Sequence, residues 1–241
     1  MSKNVTIGLV VPYADDRVPA EGLAMYPDVT FVAKGVGVQS MTPAGYDPAM
    51  AAVRPAADAL AARGVDAIMV IGTSLTFYKG ADVHRRLIED VRRSTGLPVS
   101  TMSAAVVDGL RMLGARKIAV ATAYDDEVNR RLKGFLEEEG FDVGAIEGFG
   151  ITEFGVAGGR KSEADVLDLG ARVCASAGDA EALLISCGGL RTLAVAKPFE
   201  DRHRIPVVSS MPAGFWAALR LVGRSGRLAD CGRLLEQSTA P

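Results

Sequence analysis

The residues able to do chemistry in this chain gather where apolar runs give way to small or polar residues. Cys187 closes the run Leu183-Leu184-Ile185-Ser186 and is followed by Gly188-Gly189. A thiol at a strand-to-loop junction can serve as an acid or a nucleophile, and the glycines let backbone N–H groups turn toward an anion. Gly72-Thr73-Ser74-Leu75 follows the run Ala67-Ile68-Met69-Val70-Ile71 in the same way. Its two hydroxyls suit a carboxylate, which accepts up to about four hydrogen bonds. Tyr124, at the end of another such run, adds a phenol donor. Each has a plainer reading. A free cysteine is often a buried small hydrophobe, Thr-Ser after a strand often caps a helix, and a tyrosine at a strand end often packs with its hydroxyl in water. The Gly-Gly pair shifts the balance for Cys187 toward function, while Cys174, in a helical stretch, and Cys231, in the tail, keep the structural reading.

Other candidates fall away on pattern. His84 lies among Asp82, Arg85 and Arg86, and His203 among Asp201, Arg202 and Arg204, so both read as solvated surface. Asp125, Asp126 and Glu127 stand where a helix N-terminus welcomes negative charge. No CxxC pair, P-loop, dinucleotide fingerprint or HExxH motif is present, and no metal site is expected. Twenty-seven Lys plus Arg against 29 Asp plus Glu give a net charge of −2 without long blocks of either sign, which argues against nucleic acid and anionic lipid as partners. The run 5–11 is too short and wrongly flanked for a signal peptide and reads as a first strand, and no stretch reaches membrane-spanning length. Three scattered cysteines suit a reducing, cytoplasmic setting.

The positioning elements follow from periodicity. Val- and Ile-rich runs alternate with amphipathic stretches, the pattern of parallel strands joined by crossover helices, so the class is α/β. Strands are expected at 6–11, 30–33, 67–71, 99–101, 117–122, 141–146, 182–186 and 207–209. Helices are expected at 46–63, 83–94, 103–113, 126–139, 161–176, 193–203 and 211–221. Segment 6–14 echoes 117–125, 66–74 echoes 181–189, and 97–105 echoes 205–213, in one order and roughly 110 residues apart. The chain therefore reads as two pseudo-symmetric Rossmann-like lobes. Residues 1–113 form the first and 114–214 the second, with 215–241 packing back on the first. Ligands of open α/β sheets bind beyond the C-terminal strand ends, which places a cleft where the Gly72 and Cys187 loops meet.

These segments carry a family resemblance. Thr42-Pro43-Ala44-Gly45-Tyr46, Gly72-Thr73-Ser74-Leu75, Ala121-Thr122-Ala123-Tyr124, Ser186-Cys187-Gly188-Gly189-Leu190 and Pro212-Ala213-Gly214-Phe215-Trp216 together resemble the arylmalonate decarboxylases of the aspartate/glutamate racemase superfamily. The resemblance covers nearly the whole chain. It implies cofactor-independent decarboxylation of an α-aryl or α-alkenyl malonate through an enediolate that Cys187 protonates. It also implies a carboxylate held by Thr73, Ser74, Tyr124 and the N–H groups of Cys187 and Gly188. Val38, Met41 and Leu75, with Pro12 and Tyr46 nearby, would form the apolar pocket. Racemases and maleate isomerases of this superfamily carry a thiol in each lobe, whereas the first-lobe position here is Gly72. A racemase, a cis–trans isomerase and a non-catalytic carboxylate-binding protein are the competing readings. The expected partner is a small disubstituted malonate, with the oligomeric state open and a monomer among the readings.

Overall fold

The computed structural model describes residues 5–239, so residues 1–4 and 240–241 of the expected lobes lie outside it. In chain order the first part contains β1 (Thr6–Val11), α1 (Ala20–Met25), β2 (Thr30–Gly35), α2 (Pro43–Ala61), β3 (Ala67–Val70), α3 (Thr73–Phe77), α4 (Ala81–Thr95), β4 (Val99–Thr101) and α5 (Met102–Met112). The second contains β5 (Lys117–Thr122), α6 (Asp126–Glu138), β6 (Asp142–Gly148), α7 (Ala157–Arg160), α8 (Glu163–Ala177), β7 (Ala182–Ser186), α9 (Ala196–His203), β8 (Val207–Ser209), α10 (Ser210–Leu221) and α11 (Arg233–Glu236). Two four-stranded parallel sheets result, ordered β2-β1-β3-β4 and β6-β5-β7-β8. Ile7, Leu9, Ile68 and Val70 in one sheet, and Ile118, Val120, Leu183 and Leu184 in the other, are wholly buried, as strands covered by helices on both faces require.

The echo between the halves reappears in hydrogen bonding. Asp66 N–H donates to the Thr6 carbonyl, and Glu181 N–H donates to the Lys117 carbonyl, both at 2.8 Å. The side chains of the same two acids, each just before β3 or β7, accept from the start of the neighbouring strand, Asp66 from Thr6 N–H and Glu181 from Arg116 and Lys117 N–H. Pro98 and Pro206 offer carbonyls to Ile68 and Leu183 at 2.9 Å. One βα grammar thus brings β3 and β7 to equivalent ends, where Gly72 and Cys187 leave their sheets.

Four short helices, α1, α3, α7 and α11, were absent from the periodicity, because four to six residues are too few to show a 3.6-residue repeat. The segment after Gly72, expected as a loop, is α3, with Gly72 itself at the N-cap position. Asp125 caps α6 by accepting from Val128 N–H at 3.0 Å. Among the described residues no helix is long and apolar enough to cross a membrane.

The chain's tail touches both halves. A Cβ on Gly22 of α1 would overlap the Phe215 ring of α10, and Tyr26 donates its hydroxyl to the Gly226 carbonyl at 2.6 Å. Leu234 packs over Gly109, while Glu200 of α9 accepts from Arg233 N–H at 2.9 Å. Gly22→Ala should therefore lower the unfolding free energy by about 1–3 kcal/mol, the usual cost of overfilling a packed contact, measured by urea denaturation.

His84 corrects the surface reading. It is 4% exposed, its Nε2 lies 2.6 Å from Thr101 Oγ1, and its ring meets Phe135 edge-on. Ala81, His84 and Val91 form the inward stripe of α4, whereas Arg85, Arg86, Arg92 and Arg93 make its flanks charged. His203 is half-buried and stacks on Phe199. Burial pulls the His84 pKa down from 6.5 to about 4. The unfolded chain takes up the proton first as pH falls. The stabilisation is therefore complete above pH 6.5 and is lost as pH drops from there to about 4. Removing this shift in His84→Gln should flatten the acid limb of the stability–pH curve by up to about 3 kcal/mol, read by denaturant titrations between pH 7 and 4.

Candidate active site

The ends of β1, β3 and β7 border one cavity of about 600 Å³. Every expected pocket residue lines it: Pro12 after β1, Val38 and Met41 after β2, Tyr46 in α2, and Gly72 and Leu75 around α3. Thr73, Ser74, Cys187 and Gly188 line it as well. Tyr124 does not; it is 1% exposed and stands behind the wall, with its phenol 3.4 Å from Ser186 Oγ and beside the Cys187 thiol and the Ser74 hydroxyl. Tyr46 is also beside Ser74, and its buried phenol has no hydrogen bond of good geometry among the described residues.

Backbone geometry sets this arrangement. Gly72 has φ +119°, and Cys187 has φ +148°, which makes it one of three described non-glycine residues at positive φ. Side chains disfavour that region, at a cost of about 1–3 kcal/mol. The strain is concentrated at the residue bearing the thiol. A Cβ at Gly72 would meet Leu75 and Pro12 at 3.3–3.7 Å, so the strand-end opposite Cys187 has little spare room.

Around the thiol, Gly189 N–H points at Sγ from 3.4 Å. Burial raises the Cys187 pKa, opposed by the N–H groups of Gly189 and Leu190 and by the Tyr124 phenol, which favour the thiolate. Burial prevails, so the group is held as a thiol. Burial likewise raises the Tyr124 and Tyr46 phenols and keeps them as donors.

One expectation needs revision. The Cys187 N–H is not free, because it donates to Ser210 Oγ at 3.3 Å. Thr73 Oγ1 also donates to Ser210 Oγ, at 2.8 Å. Ser210, the first residue of α10, is 1% exposed and ties the two strand ends together. A lone serine at a helix start gives no pattern to find in a sequence. Its echo of Met102, the first residue of α5, was the one available signal, since both first residues face the junction of the halves.

The mouth is built from loops of both halves. Met41 N–H donates to the Thr152 carbonyl at 2.8 Å, Ser40 and Glu153 form an antiparallel bridge, and the rings of Tyr13 and Phe154 lie 6.1 Å apart. Tyr13, Arg17, Phe154 and Arg191 all reach the cavity.

Comparison with known proteins places this geometry in a family. The sequence model described as arylmalonate decarboxylase matches residues 7–235. The arylmalonate decarboxylase of Bordetella bronchiseptica is 46% identical over 235 residues, covering 97% of both chains. This chain belongs to the arylmalonate decarboxylase family. A crystal structure of an arylmalonate decarboxylase double mutant in a liganded form, with one glycine changed to cysteine and one cysteine to serine, superposes with a TM-score of 0.94. It is 43% identical and covers 97% of this chain and 100% of that one. A maleate isomerase of Nocardia farcinica is 28% identical over 250 residues, 97% of this chain and 96% of its own. The family's fold is thus the two-sheet α/β architecture described above.

The decarboxylase fold holds three free cysteines, of which Cys174 is buried with its pKa pushed up to about 11. In a Cys174→Ala/Cys231→Ser background, alkylation of Cys187 by iodoacetamide should be slow at pH 7 and still accelerate above pH 9, because burial raises the thiol pKa. A rate already at plateau by pH 8 would show a thiolate instead.

Proposed function

We propose that the protein removes CO2 from α-aryl or α-alkenyl malonates and delivers one enantiomer of the α-substituted carboxylate. The observation that carries this reading is a single thiol, Cys187, lining a cavity whose opposing strand end is Gly72. Two-sided proton exchange between paired thiols, as in racemases of this superfamily, lacks its second thiol among the residues that line the cavity.

The steps follow from the lining. One carboxylate is held by the Ser74 hydroxyl and the Gly188 N–H, joined by the Tyr124 phenol once it turns from Ser186 through the wall into the cavity. Thr73 and the Cys187 N–H join them by exchanging their bonds to Ser210 for bonds to the charged oxygen, since an ionised acceptor makes the stronger bond. The second carboxylate faces Val38, Met41 and Leu75 with Pro12, where it loses hydration. Its C–C bond breaks, neutral CO2 departs, and the bonding electron pair moves into the held carboxylate as a planar enediolate. Donors fixed before the reaction stabilise that charge, each typically worth about 10²–10³ in rate. An aryl or alkenyl group spreads it further, so the substrate itself supplies the electron sink and no cofactor enters the scheme. Cys187 Sγ–H then donates its proton to the carbanion carbon from one face, and the thiolate recovers a proton from solvent. Strain at φ +148° fits a side chain held in a reacting position.

The same reading places the lobe boundary at 113/114, with 215–241 returning to the first lobe. The contacts of Gly22 with Phe215 and of Tyr26 with Gly226 support that return. Three free cysteines support a reducing, cytoplasmic setting. Maleate isomerisation is the second reading, favoured by the full-length similarity to a maleate isomerase.

The test is incubation with 2-methyl-2-phenylmalonate in D2O without added metal or cofactor. The expected product is a single enantiomer of α-deuterated 2-phenylpropionate, by NMR and chiral chromatography, with the rate falling at least 10³-fold in Cys187→Ala. Unchanged malonate together with conversion of maleate to fumarate would replace the decarboxylase reading with the isomerase one.

A further inference from the structure

Among the residues that line the cavity, the charged ones are Arg17 and Arg191, and no carboxylate lines it. The lining itself is thus cationic, with Asp15, Glu21 and Glu153 set just behind or beside it. The two arginines approach from different halves, Arg17 from the loop between β1 and α1 and Arg191 from the loop between β7 and α9. Both are exposed, so they stand at the mouth, whereas the hydroxyls, the thiol and the apolar wall lie within. Arg17 is aimed by its stacking on Tyr13, with the guanidinium carbon 4.1 Å from the ring centroid, and Tyr13 itself lines the cavity. Its contact with Asp15 is 3.5 Å long with both side chains 61% exposed, an ion pair too wet to hold the guanidinium away from a ligand.

Placement decides what these charges can do. A cation beside the departing carboxylate would stabilise the ground state and slow loss of neutral CO2, so arginines have no use at the apolar wall. At the mouth they stand beside Tyr13 and Phe154, whose rings lie 6.1 Å apart, where the outer end of a substituent would reach. A guanidinium fork matches a carboxylate with two parallel bonds. A cavity of about 600 Å³ has room for a ring bearing one further group.

Resting on the decarboxylase reading, we infer that the preferred substrates are malonates whose aryl substituent carries an acidic group, bound at its outer end by Arg17 and Arg191. The substrate is then a tricarboxylate, with two carboxylates handled inside and a third at the door. The third group selects and orients and takes no part in bond breaking.

The experiment compares kcat/KM for 2-(4-carboxyphenyl)malonate and its 3-carboxy isomer with that for the corresponding methyl esters of the ring carboxyl. The esters withdraw electrons similarly and lack the charge. The wild type should prefer at least one acid over its ester by about tenfold to a hundredfold, the range of a charge-assisted bond. That ratio should fall at least tenfold in Arg17→Gln/Arg191→Gln. An acid-to-ester ratio near one in the wild type, or a ratio unchanged in the double variant, overturns the inference. If no malonate is turned over, calorimetry of 4-carboxyphenylacetate and its ring methyl ester on the Cys187→Ala protein separates the two proposals. Tighter binding of the diacid that depends on the arginines keeps the mouth assignment and discards the decarboxylase, and equal binding discards both.

Discussion

Ser210 Oγ receives Thr73 Oγ1–H from one sheet's end and Cys187 N–H from the other's, and the rest of the site depends on that junction. The oxygen is buried, so neither donor can turn to water instead, and an orphaned donor at this depth costs about 1–3 kcal/mol. The seam therefore fixes how far apart the two strand ends sit. It also holds Cys187 in a backbone conformation that a side chain avoids. Around this point the hydroxyls satisfy one another in the fold, and Thr73 also lines the cavity.

Thiol chemistry follows from the same enclosure. Cys187 is largely buried in the cavity wall, and burial outweighs the nearby N–H groups and the phenol, which raises the thiol pKa. A nucleophilic cysteine needs the opposite balance, usually a cation or imidazolium close by. His84 and His203, the two histidines of the chain, are engaged with Thr101 and Phe199. The surroundings of the sulfur thus favour the thiol over the thiolate.

Much of the frame was legible in the sequence because parallel strands buried on both faces leave continuous apolar runs, as at Thr6–Val11, Lys117–Thr122 and Ala182–Ser186. The repeat of segments was legible because one βα plan is used twice. What escaped was whatever depends on a partner far along the chain. Ser210 meets Thr73 137 residues away. The loops carrying Ser40 and Glu153 bridge at the mouth without any hydrophobic pattern of their own. His84 was misjudged from its charged neighbours, although the spacing of Ala81, His84 and Val91 already marks one face of a helix. Arg17 and Arg191 stand in separate loops with no shared pattern, and it is the fold that sets both on one cavity.

The bridge at the mouth bears on how ligands come and go. Met41 and Thr152, joined at 2.8 Å beside the Ser40–Glu153 pair, stitch the halves together on the side where a two-lobed binding protein would swing apart. Before substrate binds, Ser210 adds a second stitch deeper in, so both contacts oppose rotation of the halves. Traffic must then pass along a standing corridor, and the fit between a molecule's cross-section and that corridor, not the tempo of a hinge, sets which molecules reach the thiol.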